Sequence, residues 1–172
     1  MAELEEVTAA RRAALAAMTD EELSGVTPSP IGNVPYATFM DVRVMDCWVH
    51  EQDIRRAVGR PGHLDGPAAD AAIRRFCSSL GFVVGKRAGA PEGSTVVFEL
   101  TGPLARTVAI GVVDGRAQVV PEPSGAAVRM EMDAETFACL VAGRWSADRA
   151  KVAITGDDEL GRRVVASMAT IP

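Results

Sequence analysis

The sequence predicts an α+β fold, with a helical N-terminal part followed by a smaller domain built on a mainly antiparallel sheet. Apolar residues recur at helical spacing up to Lys86, whereas after Gly93 they form short runs separated by turn residues. The segment between them, 87–93, is rich in Gly and Ala and shows no periodic pattern. The 172 residues suffice for one full domain, or for one small domain and part of another. We therefore place a helical part at 1–87 and an α+β domain at 93–172.

The N-terminal part is predicted to contain three helices and one loop. Charged and apolar residues alternate at helical spacing in each helix, and Thr19 with Asp20 can cap a short extra turn after the first. Two prolines and two glycines make the segment 24–33 a loop. The helices are placed at 3–18, from Asn33 to Val58 and from Asp65 to Lys86.

The C-terminal part is predicted to form an antiparallel meander, followed by two helices around one more strand. Asp114 and Gly115 are a residue pair preferred in two-residue hairpin turns, so they join two neighbouring strands. Asp133 and Asp157 stand at the N-cap positions of the two helices. The strands are placed at 95–100, 106–113, 117–120, 128–132 and 152–155, and the helices from 133 to 143 and from 157 to 168.

Composition and charge narrow the classes of partner. The formal net charge of −5 disfavours nucleic acid and anionic membranes, because both select for clustered Lys and Arg. The chain lacks a run of about 18 apolar residues, so neither a membrane span nor a secretory signal is predicted. We expect a cytoplasmic protein that binds a small molecule or another protein. Cys47, Cys77 and Cys139 form no CxxC pair and are expected to be reduced thiols in apolar surroundings.

The second helix carries the candidate functional residues. On a helical wheel, Asp46, His50 and Asp53 fall on the same face as Phe39 and Val49. Two carboxylates and an imidazole thus interrupt an apolar stripe, which requires a compensating hydrogen-bond network or a cation. Asp46 and His50 are one turn apart, so their side chains can converge on one divalent metal ion, with Asp53 orienting the imidazole. A structural hydrogen-bonded pair is the alternative that the same spacing allows.

The string from Met40 to Pro61 resembles the last-helix motif of the mycothiol-dependent maleylpyruvate isomerase family. Members of that family carry an acidic residue, three spacers and a His, followed by Asp, Ala, Gly and Pro. In this chain the same order is formed by Asp46, His50, Asp53, Ala57, Gly59 and Pro61. Trp145, the segment 152–157 and the closing apolar helix are also similar to the family's C-terminal domain. The resemblance covers nearly the whole chain.

The resemblance implies a DinB-like helical bundle that binds zinc or a similar ion, followed by a domain similar to sterol-carrier folds. It also implies that the metal holds the thiol of mycothiol deprotonated, so that the thiolate adds to an electrophilic small molecule in an isomerase or transferase reaction. Asp46 then replaces the family's usual Glu as a metal ligand, and His50 is the histidine ligand.

An arginine of the family's C-terminal domain binds the substrate carboxylate, and the resemblance makes Arg144 the catalytic candidate in this chain. Arg149, on the other side of Trp145, is a second candidate for the same role. An ion pair with Asp148 or Glu135 is the alternative for either arginine.

The sequence departs from the family's pattern at one ligand. Members place a further His on an earlier helix, but no His precedes His50, and the other one, His63, is in a predicted turn. Catalytic zinc sites use three protein ligands and a water, so two ligands are too few. We expect an N-terminally truncated bundle that a homodimer or a partner chain completes. The alternative is a non-catalytic relative that binds a small ligand or a partner.

Overall fold

The structure, a computed structural model, describes residues 2–121 and 125–171. The chain divides into two units between Arg43 and Val44, within its longest helix. The first unit contains α1 (Ala2–Ala16), α2 (Asp20–Ser24), β1 (Val26–Ser29), β2 (Gly32–Pro35) and the first turns of α3 (Tyr36–Ala57). The second contains the rest of α3, α4 (Gly66–Cys77), α5 (Leu80–Phe82), a π-helical segment (Val83–Arg87), β3 (Thr95–Thr101), β4 (Arg106–Val113), β5 (Arg116–Val120), β6 (Val128–Asp133), α6 (Ala134–Val141), β7 (Ala153–Gly156) and α7 (Asp158–Ala166).

β1 and β2 form an antiparallel hairpin in the segment where the sequence predicts a loop. Val26 pairs with Pro35 and Pro28 pairs with Asn33, so two prolines lie in the strands of the hairpin, and Pro30 lies in its turn. The loop prediction is wrong because both strands of an isolated hairpin are edge strands, where a proline need not break the ladder. The hairpin also moves the start of α3 to Tyr36, beyond the predicted Asn33.

The second unit is a five-stranded sheet with helices packed against it. The strand order is β5-β4-β3-β6-β7, and every neighbouring pair is antiparallel except β3 with β6. Phe98 of β3 and its neighbour Met130 of β6 are fully buried. Phe76 of α4 and Phe137 of α6 meet edge to face, with ring centroids 6.4 Å apart. The predicted α+β class with a mainly antiparallel sheet is confirmed.

The predicted meander is correct through β5 and wrong beyond it. Asp114 and Gly115, with φ of 52° and 72°, make the expected hairpin turn between β4 and β5. β6 then lies beside β3 and runs parallel to it. Turn residues predict where a chain reverses but not which strand it pairs with next. Burial selects the inner place for β6, because Val128 and Met130 are fully buried there.

The third predicted helix is broken into α4, α5 and the π-helical segment. The hydroxyl of Ser79 donates to the carbonyl oxygen of Phe76, which competes with continuation of the helix. Beyond that break, a Cβ on Gly81 would lie 2.7 Å from the carbonyl oxygen of Ala117 in β5. This close approach to the sheet, which a wheel diagram does not contain, fixes the path of the chain.

Asp70 of α4 binds Arg106 of β4, and this contact predicts an acid-sensitive contribution to stability. Arg106 Nη2 donates to Asp70 Oδ1 over 2.5 Å, and this hydrogen bond lowers the pKa of Asp70 although burial opposes it. A carboxyl whose pKa is lowered by folding stabilises the protein at pH values above its pKa in the unfolded chain, which is about 4. It loses that contribution as the pH falls through its pKa in the folded protein. We expect Asp70→Asn to destabilise the protein at neutral pH, with a deficit relative to the parent that shrinks below about pH 4.

Urea unfolding of both proteins across this pH range measures the deficit. Asp158→Asn is the control, since it removes an ion pair with Arg162 in which both side chains are more than half exposed. Asp158→Asn should change the free energy of unfolding at neutral pH by less than Asp70→Asn does. A deficit for Asp70→Asn that stays constant in acid would contradict the assignment.

Candidate active site

Asp46, His50 and Asp53 lie within two turns of α3 and are brought together as the helical spacing predicts. His50 Nε2 lies 3.5 Å from Asp46 Oδ1, and His50 Nδ1 lies 3.6 Å from Asp53 Oδ2. The side chain of His50 is 64% exposed, while both carboxylates are half-buried. The imidazole therefore stands between two carboxylates and is open to solvent, where a ligand can approach.

The buried stripe of α3 differs from the predicted one. Met45, Trp48, Val49 and Gln52 are the buried residues of this helix, each at most 6% exposed. The candidate residues thus flank the buried stripe instead of interrupting it. The elements packed on a helix decide which face is buried, so the wheel alone placed the stripe about one residue away from its true position.

Arg144 binds Asp53 across 91 residues of sequence. Its Nε lies 3.2 Å from Oδ2 and 3.3 Å from Oδ1, and its Nη2 donates to Oδ2 over 3.0 Å. A guanidinium that meets a carboxylate through two nitrogens is held in a fixed orientation. Asp53 and Arg144, which the sequence singled out separately, therefore form an ion pair in the structure.

Arg56 is a member of this cluster that sequence reasoning missed. Its Nη2 donates to Asp53 Oδ1 over 2.7 Å, and its Nη1 lies 3.6 Å from Glu135 Oε1 at the start of α6. Burial alone raises the pKa of Asp53, but the hydrogen bonds from Arg144 and Arg56 outweigh it and lower the pKa. Asp53 is thus held as a carboxylate. The signal for Arg56 was its position three residues after Asp53, on the same side of the helix.

The end of α6 sets the position of Arg144. Gly143 has a φ of 65°, which turns the chain out of the helix, and the Arg144 N–H then donates to the carbonyl oxygen of Cys139 over 2.8 Å. Arg144 Nη1 also donates to the Ala142 carbonyl oxygen over 2.6 Å, which folds the side chain back over the helix end. Arg149 makes a different contact, since its guanidinium lies over the Trp145 ring, 4.8 Å from the centroid.

A small cavity of about 10 Å³ lies beside this cluster, between α3 and the end of α6. Trp48, Gln52, Arg56, Cys139 and Arg144 are among the residues that line it. This is the space of about one water molecule, which is too small for a substrate. The exposed side of the cluster, where His50 lies, is open to solvent.

The turn after α3 is held against the helix by hydrogen bonds from two α3 side chains. The carbonyl oxygen of His63 accepts hydrogen bonds from Trp48 Nε1 at 2.9 Å and Gln52 Nε2 at 3.2 Å. His63 itself has a φ of 60°, and its Nδ1 lies 2.8 Å from Glu51 Oε1. Its imidazole is therefore both exposed to solvent and in contact with Glu51. Trp48 and Gln52, which sequence reasoning did not single out, act as supports for the site.

The three thiols differ in their surroundings. Burial raises the pKa of Cys77 and of Cys139 to about 11, so neither thiol is a nucleophile near neutral pH. Cys47 is exposed on α3, which corrects the expectation that all three lie in apolar surroundings. Cys47 lies outside the buried stripe of Met45, Trp48, Val49 and Gln52.

The described residues do not complete a zinc site. Within residues 2–121 and 125–171, no three His, Cys, Asp or Glu side chains are grouped so that they could hold a metal ion. Asp46 and His50 are suitably spaced as two ligands, but Asp53 is bound by two guanidinium groups and so is a poor third ligand. A third protein donor, from outside this set, is needed for a catalytic ion.

Comparison with solved structures finds likenesses that cover 58–59% of this chain at 15% sequence identity. They are the UbiJ-SCP2 ubiquinone synthesis protein (96% of that chain, TM-score 0.40), sterol carrier protein 2 (95%, 0.38) and the apo form of sterol carrier protein 2 from Yarrowia lipolytica (92%, 0.37). No match is found among curated proteins. Among the described residues, no helix is long and apolar enough to cross a membrane.

Two family profiles match the chain in the order that the resemblance predicts. The profile of the mycothiol maleylpyruvate isomerase N-terminal domain matches residues 1–55, which include Asp46, His50 and Asp53. The profile of the MDMPI C-terminal domain matches residues 67–163, which include Arg144. Together these matches span most of the chain and both halves of the cluster. The chain therefore belongs to the mycothiol maleylpyruvate isomerase family.

Proposed function

We propose that the protein is a mycothiol-using isomerase or transferase that acts on a small electrophilic carboxylic acid. One observation carries this proposal: a single oxygen, Asp53 Oδ2, lies 3.6 Å from His50 Nδ1 and 3.0 Å from Arg144 Nη2. An anion-binding guanidinium and an imidazole are thereby held next to each other through one carboxylate. Family membership supports mycothiol as the thiol that the protein uses. Arg144 supports the presence of a carboxylate on the substrate.

In this proposal Asp46 and His50 are two ligands of a divalent metal ion, for which zinc is the best candidate. Zinc would hold the thiol of mycothiol deprotonated at neutral pH. A third donor would come from a second copy of the chain or from a partner chain. Because the described residues do not complete the site, no step of the reaction is assigned to the ion. Arg144 would fix the substrate carboxylate, and Asp53 would keep Arg144 oriented.

A non-catalytic role is the second candidate function, and the donor count favours it. Among the described residues only two metal ligands lie within reach of one ion, and Arg144 is already paired with Asp53. The same cluster would therefore suit a relative that binds a small ligand or a partner without turnover. The two functions differ in metal content and in mycothiol-dependent turnover.

His50→Ala and Asp46→Ala are expected to lower the metal content of the purified protein by more than about tenfold, because each removes one of two ligands. Plasma mass spectrometry on tag-free protein, purified without chelators, measures this content. Asp41→Ala is the matched control, since Asp41 is an exposed carboxylate on the same helix. Mycothiol-dependent isomerisation of an unsaturated keto acid, followed by absorbance, is the parallel assay.

The proposal requires a fixed ratio of metal to chain in the parent, its loss in both site variants and its retention in Asp41→Ala. Sedimentation of the same samples shows whether metal accompanies a larger assembly, as a third donor from another chain requires. A metal-free parent with no mycothiol-dependent turnover would establish the non-catalytic role instead.

A further inference from the structure

The first unit has no buried core of its own. None of its described residues, 2–43, is buried, although apolar side chains recur along α1 and the hairpin. Burial of apolar surface is what offsets the conformational entropy lost on folding, and a unit this small usually needs association with another chain to bury enough of it. Association through the first unit would therefore supply the burial that the unit lacks.

One side of α1 carries exposed apolar residues. Leu4 and Val7 are 63% and 61% exposed, and Ala10 and Ala14 are exposed at the following turns of the same side. Leu15, beside this stripe, is half-buried. The alanines allow a second helix to approach closely. The 15 residues of α1 thus present a strip about 22 Å long that another helix can cover.

The charges of α1 are segregated along its length. Glu3, Glu5 and Glu6 lie in its first half, and Arg11 and Arg12 lie in its second half. No Glu is three or four residues from an Arg, so the ion pairs usual within one helix cannot form. The helix dipole accounts for the acidic residues of the first turn, but the last turn contains no basic residue. The two halves of α1 are therefore complementary to each other and cannot meet within one copy.

We propose that α1 pairs antiparallel with α1 of a second copy of this chain and so forms a homodimer. In an antiparallel pair the acidic half of each helix lies beside the basic half of the other, and the same contact occurs twice across a twofold axis. A parallel pair would place like charges side by side. The axis passes near Thr8, midway between the acidic and the basic residues, and this brings Leu4 of each copy to the alanines at the end of the other α1. The dimer forms without metal or mycothiol, so it does not depend on the function proposed for the cluster around His50.

Sedimentation of the full chain in the presence of a chelator, from about 1 to about 200 µM, tests the proposal. We expect a reversible equilibrium between monomer and dimer with a dissociation constant of about 10–100 µM, because a contact along one helix is small for a protein interface. Raising the salt from about 50 to about 500 mM should weaken the dimer by about fivefold. A dimer that strengthens with salt would overturn the antiparallel arrangement. A dimer that appears only with added metal would overturn the pairing through α1.

Charge reversal tests whether α1 is its own partner. Glu5→Lys with Glu6→Lys should weaken self-association by about tenfold, and so should Arg11→Glu with Arg12→Glu, because each leaves α1 mainly with charges of one sign. An equimolar mixture of the two variants should recover the affinity of the parent, since a basic α1 then meets an acidic one. This recovery also shows that neither variant has lost the helix, which circular dichroism checks independently.

The matched control for these variants is Arg116→Glu with Lys151→Glu, two exposed positions outside α1, which should associate as the parent does. Val7→Ala should weaken the dimer by about fivefold, because the lost contact occurs twice. Val26→Ala, in the hairpin of the same unit and at a position 73% exposed, should not. The proposal is overturned if the parent is monomeric at every concentration, if the mixture of charge-reversed variants fails to associate, or if Val26→Ala weakens the dimer as much as Val7→Ala does.

Discussion

Gly156→Ala is expected to lower the free energy of unfolding by about 3 kcal/mol or more, because it combines backbone strain with a collision between backbones. Gly156 has a φ of 91°, which an alanine adopts only with strain. A Cβ at this position would also overlap the carbonyl oxygen of Ala127. That oxygen accepts the Asp157 N–H over 2.8 Å, so it cannot retreat without losing the bond that holds the N-cap residue of α7. Urea unfolding measures the loss.

Gly102→Ala separates the two causes. Gly102 has a φ of 88°, close to that of Gly156, but no atom of the described residues lies within 4 Å of the place that a methyl group would take. We expect this change to cost about 1 kcal/mol, from the dihedral strain alone. Equal losses in the two variants would mean that the contact between β7 and Ala127 yields easily, contrary to the close approach of the two backbones.

On the proposed function, Arg144→Ala is expected to lower kcat/KM of the mycothiol-dependent reaction by about 100-fold, because the proposed contact between Arg144 and a substrate carboxylate is lost. Arg144→Lys keeps the positive charge but lacks the planar guanidinium with its several N–H donors, so it should retain only part of the activity. Asp53→Asn should act through Arg144 as a positioning residue, and its effect should be smaller. Steady-state kinetics with separate kcat and KM values measure these changes.

Arg149→Ala is the matched control for that experiment. Arg149 stacks on Trp145 and belongs to the same segment as Arg144, but its side chain is directed to that ring and not to Asp53, so kcat/KM should stay within about twofold. An Arg144→Ala protein that loses stability but keeps full activity would show that the ion pair only fastens α6 to α3. Unfolding curves for each variant, measured beside the kinetics, distinguish the two roles.

The parts of the fold that follow from local chemistry were predictable from the sequence. The turn at Asp114 and Gly115 requires a positive φ that Asp and Gly tolerate, and Asp133 and Asp157 cap the helices that follow them. The parallel pairing of β3 with β6 was not predictable in this way, because it depends on which buried side chains fit beside Phe98. The break after α4 likewise depends on the approach of Gly81 to β5.

The same distinction between local spacing and long-range contacts applies to the candidate site. The positions of Asp46, His50 and Asp53 follow from the spacing within one helix, and the structure brings them together. The pairing of Asp53 with Arg144 spans 91 residues, and no local pattern encodes it. The buried face of α3 also depends on its neighbours, which is why Trp48 and Gln52 were not anticipated as supports of the site.

The ion pair between Asp53 and Arg144 also bears on how this protein was assembled in evolution. Asp53 lies in the segment matched by the N-terminal family profile, and Arg144 lies in the segment matched by the C-terminal one. A recombinant gene that exchanged one segment for an unrelated sequence would strand a half-buried charge at the junction. We therefore expect substitutions at Asp53 and Arg144 to arise together.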